Sequence, residues 1–429
     1  MDPSLRFGVK KKRGVKKKGE DRPMTTRLYY HDSFLYEFQA QVLESVEREG
    51  KNGLVLDRTA FYPTSGGQVH DTGVLAFGNA RENRVSVLDV VDDEDGRIIH
   101  FTSAPVASGT TVYGSIDAAR RRDHMQQHTG QHVLSAAFIR LFEIPTMSFH
   151  MGVESCTIDL ETKSLSDVQV QAAEKLANEI VTEDRAVNIR FVSLEEARQR
   201  GVRKLPPKQT GQLRLIDITE FDLTACGGTH ARSTGQVGAI LLRKVEKVKQ
   251  GARVEFVCGA RAVATARMDF IALAEAAALY SAHIYDVPVQ IHKSLEDAKA
   301  AGKAQHKLLE ELAELQADKL LAETNSSPKK VTAIFPDRDA AYIKLLAQKL
   351  TAGKPDVIAL LASGKGQCTL VFAQSAGQKS NMGQFMKSAM AELGGRGGGT
   401  ADLAQGGLPA ISADLAQVEK VLHEISAKP

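Results

Sequence analysis

The stretch RDHMQQHTGQHVLSAAFIRLF (residues 122–142) predicts a helix in the central part of this chain. Its apolar residues recur at helical spacing. The buried stripe predicted for this helix comprises Val133, Leu134, Ala137, Phe138 and Leu141. His128 and His132 are four residues apart, so they share one face of the helix and both rings can reach one ion.

A second pair of metal-ligating residues lies in Cys226-Gly-Gly-Thr-His230, where two glycines allow a tight turn around an ion. Three imidazoles and one thiolate suit tetrahedral zinc. We therefore predict one zinc ion bound by His128, His132, Cys226 and His230. A zinc protease would need Glu after the first histidine, and Thr129 stands there instead. Four protein ligands are also typical of a purely structural site, so that alternative stays open.

Outward from this centre the pattern predicts a multidomain α+β protein. Short alternating runs from 27 to 115 indicate a small β-barrel or sandwich. Strand-like pieces at 155–160 and 188–193 flank a helical stretch at 166–183, which indicates a mixed α/β domain reaching to about 270.

The last third of the chain begins with a charged helical stretch, 268–323, in which Leu308, Leu312 and Leu315 form a stripe. After the linker-like TNSSPKK (324–330), alternating strands and helices predict a compact C-terminal α/β domain. The predicted strands are 331–335, 357–362 and 369–373, and the predicted helices are 338–350, 381–393 and 412–426.

Composition limits the function classes. Of 429 residues, 43% are hydrophobic and 25% charged, as in globular proteins. The apolar stretches are too short to cross a bilayer, and four scattered cysteines do not form a disulfide scaffold. We therefore expect a cytoplasmic protein without a membrane partner.

Residues 1–23 carry nine basic and three acidic side chains. This predicted disordered leader is either a phosphate-binding arm or an upstream stretch with Met24 as the working start.

The paired HTGQH and CGGTH motifs resemble the editing domain of alanyl-tRNA synthetases and the AlaX-type trans-editing proteins. Three further stretches agree with that family in its order. RTAFYPTSGGQVHDTG (58–73) resembles the Gly-rich motif of the family. Residues 235–259 resemble the segment that follows the zinc cysteine and histidine. GGRGGGTADLAQGG (394–407) resembles the signature of the family's DHH-associated domain. The threonyl-tRNA editing domain shares only the histidine and cysteine pairs.

The resemblance implies the long form of AlaX, with domains at 1–23 (leader), 24–118 (β-barrel with the Gly-rich motif), 119–267 (zinc-dependent editing domain), 268–326 (helical connector) and 327–429 (nucleic-acid-binding domain). Because only about 30 residues precede the first motif-bearing barrel, we expect no aminoacylation domain. The implied reaction is hydrolysis of serine, and of glycine, from mischarged tRNA(Ala). The helix at 268–323 and the C-terminal domain allow a homodimer.

The resemblance also implies residue roles. His150, Thr59 and Gln68 are expected at the catalytic pocket. From its position alone, four residues before Cys226, the carboxylate of Asp222 is expected to orient a ligand histidine. The glycine-rich loop is expected to contact tRNA through Gly394, Gly395, Arg396, Gly397, Gly398 and Gly399. The basic runs 203–208 and 243–249 are further candidates for RNA contact. Two alternatives stay open: a binding module with a structural zinc, and an auxiliary subunit that works beside a ligase.

Overall fold

A computed structural model describes residues 24–93, 96–202, 212–249, 251–409 and 414–427. The leader 1–23 and the basic run 203–208 lie outside these ranges. The chain divides into two compact units, Met1–Leu273 and Ala274–Pro429. Among the described helices, none combines the length and the apolar character that crossing a bilayer requires.

The first unit opens with a closed six-stranded barrel, which confirms the predicted β-barrel. Its core is formed by inward-facing residues such as Leu54, Leu75 and Val112, whose alternation with outward polar residues is the strand signal read from the sequence. A short parallel pair joins β1 (Thr26–Arg27) to β4 (Arg58–Thr59). In the order of the barrel its strands are β2 (Glu37–Arg48), β3 (Lys51–Leu56), β7 (Ile98–Thr102), β6 (Asn83–Asp92), β5 (Gly73–Phe77) and β8 (Thr111–Ile116).

Helix α1 (Ala118–Phe142) follows the barrel and carries the first two predicted ligands. It begins four residues before the predicted start because the Asp117 carboxylate accepts hydrogen bonds from the backbone N–H groups of Ala119 and Arg120. Its apolar stripe is buried as predicted, except for Leu141. Leu141 lies in the last turn and is 43% exposed, so its assignment to the buried stripe is wrong.

Two antiparallel sheets complete the α/β part of this unit. The first has the order β14 (Ile240–Val248), β15 (Gly251–Cys258), β10 (Cys156–Leu160) and β9 (Thr146–Met151). The second has the order β11 (Val187–Val192), β12 (Leu213–Ile218) and β13 (Asp222–Ala225). Helices α2 (Asp167–Thr182) and α3 (Leu194–Gln199) accompany them, and α2 begins with a capping box between Ser166 and Gln169. The buried face of α1 shares one core with α2 and the first sheet.

The predicted helix at 268–323 is two helices in the structure. The first, α4 (Ala260–Leu279), begins earlier than predicted, and the second, α5 (Val287–Glu323), has Pro288 in its first turn. Ala313, Ala317 and Leu321 of α5 pack in the core of the second unit. Leu308 and Leu315 of the predicted stripe remain 65% and 70% exposed.

The C-terminal sheet has the predicted βαβ start, with β16 (Lys329–Phe335) parallel to β17 (Val357–Ser363). The sheet continues through β18 (Thr369–Gln374) and β20 (Leu403–Gly407) to the edge strand β19 (Arg396–Gly399). Its helices are α6 (Ala340–Thr351), α7 (Met382–Leu393) and α8 (Leu415–Ser426).

The glycine-rich stretch 394–399 differs from the predicted loop, because Arg396–Gly399 form strand β19. A side chain at Gly397 would stand 2.5 Å from the Cα of Gly406 on the paired strand. Glycine is therefore required here by the close approach of two strands.

Candidate metal centre

Four side chains that could bind a metal meet at one point. His128 and His132 come from adjacent turns of α1, Cys226 directly follows β13, and His230 lies in the next turn. One ligand atom from each residue lies within 4.8 Å of the others. The Cys226 Sγ is 3.4 Å from Nε2 of both His128 and His230, and the three rings are at most 4% exposed.

The Cys-Gly-Gly turn has the compact shape that the sequence predicted. The backbone N–H of Gly228 points to the Cys226 sulfur at 3.4 Å. A Cβ at Gly228 would collide with the imidazole of His128. This glycine therefore lets the turn approach α1 closely enough for Cys226 to reach both histidines.

Each imidazole has a separate polar partner on its Nδ1 atom. Gln68 Oε1 is 2.6 Å from Nδ1 of His128, and Asp222 Oδ2 is 3.4 Å from Nδ1 of His132. Thr129 Oγ1 is 3.3 Å from Nδ1 of His230. Acceptors placed on Nδ1 favour the tautomer whose free Nε2 faces the centre, which is how metal-binding histidines are usually oriented.

Gln68 is itself fixed by Thr229 in the CGGTH turn. The amide of Gln68 donates to Thr229 Oγ1 at 2.8 Å, and its Oε1 accepts the Thr229 backbone N–H at 3.2 Å. Gln68 is fully buried. The Gly-rich loop of the barrel is thereby joined to both metal-binding motifs.

The electrostatics of the cluster favour a thiolate. Burial acts to raise the pKa of Cys226, but the neighbouring His128 and His230 rings lower it well below the usual value of a thiol. Burial acts to lower the pKa of His132, but hydrogen bonds to Asp222 and Cys226 raise it to about 9. Burial lowers the pKa of His230 to about 3, against the opposing effect of Cys226. A thiolate among imidazoles is a donor set for a borderline-soft divalent cation.

A cleft of about 830 Å³ opens onto this cluster. His128, His132 and Cys226 line it, whereas His230 lies outside the lining. The remaining walls combine apolar side chains with a few polar groups and one carboxylate, that of Glu161. The apolar members are Ile139, Pro145, Met147, Phe149 and Ala225, the neutral polar members are Gln131, Thr146, Ser148 and Thr224, and Gly66 and Gly227 complete the lining.

Of the three residues predicted at the catalytic pocket, the structure brings one to the cluster. Gln68 contacts His128 as described above. Thr59 lies inside the barrel, where its Oγ1 is 2.8 Å from Nε2 of His100. His150 is exposed on β9 and lies outside the lining of the cleft, whereas its neighbour Phe149 faces the cleft with its ring 5.4 Å from that of His128. The roles of His150 and Thr59 stay untested predictions.

Sequence reasoning missed a buried ion pair that joins the Gly-rich loop to α1. Arg121 is fully buried, and its guanidinium contacts both carboxylate oxygens of Asp71 and the carbonyl oxygens of Ser33 and Ala60. Asp71 also accepts the backbone N–H of Tyr62 at 2.6 Å. In the sequence Arg121 stands one residue before the predicted helix, and nothing there identifies a partner 50 residues away.

Three family models match the chain. "tRNA synthetases class II (A)" matches residues 9–120, and "Threonyl and Alanyl tRNA synthetase second additional domain" matches 213–254, which contain Cys226 and His230. The DHHA1 domain matches 328–428, which contain the glycine-rich stretch. These matches make the chain similar to class II aminoacyl-tRNA synthetases, and in particular to the accessory domain shared by the threonyl and alanyl enzymes.

The curated relatives that are similar to this chain are alanine–tRNA ligases. The chain is 33% identical over 416 residues to the alanine–tRNA ligase of Pyrococcus abyssi, covering 94% of this chain and 44% of the relative. It is 32% identical over 421 residues to the enzyme of Pyrococcus furiosus, with the same coverage, and 32% identical over 403 residues to that of Halorubrum lacusprofundi, covering 91% and 42%. The chain thus spans less than half the length of these relatives.

A solved structure is also similar in sequence to part of the chain. It is the C-Ala domain of alanyl-tRNA synthetase from Aquifex aeolicus, 27% identical, covering 23% of this chain and 91% of that one with a TM-score of 0.20. The sequence matches carry the conclusion: the chain resembles the editing and C-terminal domains of alanyl-tRNA synthetases, which confirms the predicted resemblance.

Proposed function

We propose that this chain is a zinc-dependent hydrolase that removes serine, and also glycine, from mischarged tRNA(Ala). The observation that carries the proposal is the position of the four-residue cluster on the floor of a cleft, with three of its members facing the open space. This arrangement suits chemistry on a bound ester. The match of residues 213–254 to an accessory domain of threonyl and alanyl tRNA synthetases supports an aminoacyl-tRNA as the substrate.

The residues present fit a zinc ion, because one cysteine sulfur and three imidazole rings converge at a buried point. When bound, zinc polarises an oxygen ligand or lowers the pKa of a bound water. The chain itself supplies orientation. Gln68, Asp222 and Thr129 fix three ring orientations, and the apolar walls of the cleft limit the access of bulk water to the ester.

Discrimination against correctly charged Ala-tRNA requires a polar group in the cleft that a serine hydroxyl can satisfy. Gln131 lines the cleft, and its amide donates to the buried Ser135 Oγ at 2.8 Å. Thr146 also lines the cleft and donates to the same Ser135 oxygen at 2.7 Å. We propose that Gln131, held in this way, presents its carbonyl oxygen to the substrate hydroxyl.

The proposal extends to partners. The edge strand β19 leaves one side of its glycine-rich backbone unpaired within the sheet, so the stretch 394–399 can approach a sugar–phosphate chain. Helix α5 carries Val289, Leu295, Leu308 and Leu315, each more than half exposed, which favours pairing with a second copy. A cytoplasmic location and the domain limits given above stay predictions.

A second candidate function is a tRNA-binding module in which zinc is purely structural. The complete set of four protein ligands favours it, because catalytic zinc usually keeps one position open. Single-turnover deacylation of Ser-tRNA(Ala), with Ala-tRNA(Ala) alongside, separates the two candidates. We expect rapid loss of serine, retention of alanine, and loss of activity in His128→Ala. A zinc-loaded protein that binds tRNA and hydrolyses neither ester would refute the hydrolase and leave the binding module.

A further inference from the structure

A second cleft, of about 520 Å³, lies on the outer face of the barrel. Its floor spans three neighbouring strands, β2, β8 and β5, where Tyr113 has Gln39 and Ala76 as its cross-strand neighbours. Arg84 on β6 pairs with Ala76, so a small residue separates the tyrosine from the arginine. Gly114, beside Tyr113, is buried beneath the ring of Phe38.

Arg81 covers one end of this cleft. It lies in the connection between β5 and β6, and its guanidinium carbon is 3.8 Å from the centroid of the Tyr113 ring. Stacking at this distance holds the planar guanidinium in place before any ligand binds, and its N–H groups stay in the plane, available for other acceptors. Such preorganisation lowers the entropic cost of binding an anion.

The arginines of this cleft differ from several others of the first unit in their partners. Arg27, Arg97, Arg190 and Arg253 all contact carboxylates. Arg81 and Arg84 are exposed, and neither lies within 4.0 Å of a carboxylate in the described part of the chain. The acid in the lining is Glu37, so the cleft carries a net positive charge.

We propose that Arg81, Arg84 and Tyr113 form a binding surface for the RNA backbone, with the guanidinium groups on phosphates and the Tyr113–Arg81 stack as their support. Arginine is the side chain best suited to bidentate phosphate contact. Phosphate contacts add affinity without sequence preference, and so position a long substrate.

This surface rests on the proposed function, since tRNA is the RNA that the metal cluster would act on. The two sites are joined by one stretch of chain. Gln68 contacts His128, and Ala76 borders the outer cleft, so the two sites are separated by no more than about 30 Å. A macromolecular substrate with its 3′ end near the metal cluster can reach across that distance, whereas a free amino acid cannot.

The test measures tRNA(Ala) binding by filter retention from 50 to 300 mM salt, using wild type, the double variant Arg81→Ala/Arg84→Ala, and Arg81→Lys. The control is Arg48→Ala/Lys51→Ala, which removes the same charge at the β2–β3 hairpin of the same barrel. We expect about tenfold weaker binding for the Arg81/Arg84 double variant, and a salt slope smaller by about two units. The tRNA affinity of Arg81→Lys should be intermediate between those of wild type and the double variant, because lysine keeps the charge and loses the planar stack.

Deacylation distinguishes this inference from the proposed function. With Ser-tRNA(Ala), the Arg81/Arg84 double variant should need about tenfold more tRNA for half-maximal rate, with a much smaller change in the rate at saturation. A wild-type protein that neither binds nor deacylates tRNA would overturn the proposed function. An active wild type whose double variant keeps the same affinity, salt slope and melting temperature as the control would overturn the RNA surface alone.

Discussion

Gln68 offers the sharpest test of how the metal cluster is organised. Replacing it by Ala removes the acceptor 2.6 Å from Nδ1 of His128 and both contacts with Thr229. The side chain is fully buried, so His128 loses the partner that fixes its tautomer and ring orientation. Loss of such a partner typically weakens metal binding by about 10- to 100-fold. This corresponds to about 1.4–2.7 kcal/mol.

The assay is competition for Zn²⁺ with a chromophoric chelator, on protein whose fold is checked by thermal melting. Gln68→Glu is the matched control. A carboxylate keeps the acceptor for His128 and for the Thr229 N–H, while the Thr229 hydroxyl can turn to donate, so zinc affinity should stay within about threefold of wild type. A folded Gln68→Ala protein with unchanged zinc affinity would refute the proposed role of Gln68.

Three further predictions follow from buried and exposed groups. His150→Ala should retain deacylation, because the ring is exposed outside the cleft; a loss as large as that of His128→Ala would contradict this placement. Asp71→Ala leaves the buried Arg121 without its carboxylate and should lower the free energy of unfolding by about 3–5 kcal/mol in urea titrations, whereas a change below about 1 kcal/mol would show that the pair is not stabilising. Burial lowers the pKa of His100 from 6.5 to about 4, so its neutral form contributes stability above pH 6.5 that is lost as the pH falls towards 4. The loss amounts to about 3 kcal/mol, and His100→Gln should show a correspondingly flatter dependence of unfolding free energy on pH between 7 and 4.5.

Local patterns predicted most of the elements. Period-two alternation identified the barrel strands, and helical period identified α1, because each signal is carried by side chains that face one local core. The glycine-rich stretch was misjudged for the same reason. Arg396–Gly399 has almost no side chains to form a pattern, and its strand state depends on pairing with β20. That pairing is a tertiary contact.

The four residues that could bind a metal were identifiable in the sequence because each pair has a short internal spacing. Their supporting partners were harder to find. Gln68 is 60 residues from His128, and Asp222 is 90 residues from His132, so only the fold brings them together. His150 stays a prediction, and its position beside the cleft-lining Phe149 depends on the alternation of side chains along β9, which the sequence alone did not reveal.

Gln131 tests how the cleft would distinguish serine from alanine on the tRNA. It lines the cleft and is 7% exposed, and its described hydrogen bond goes to Ser135 rather than to a metal-binding residue. Gln131→Leu keeps a similar volume, and Ser135 keeps its contact with Thr146, so zinc content and melting temperature should change little. If the cleft reads the serine hydroxyl, the ratio of Ser-tRNA(Ala) to Ala-tRNA(Ala) hydrolysis should fall by about tenfold, equivalent to one buried hydrogen bond. An unchanged ratio in a zinc-loaded, active variant would remove Gln131 from substrate selection, and the polar wall formed by Thr146, Ser148 and Thr224 would then have to account for the discrimination.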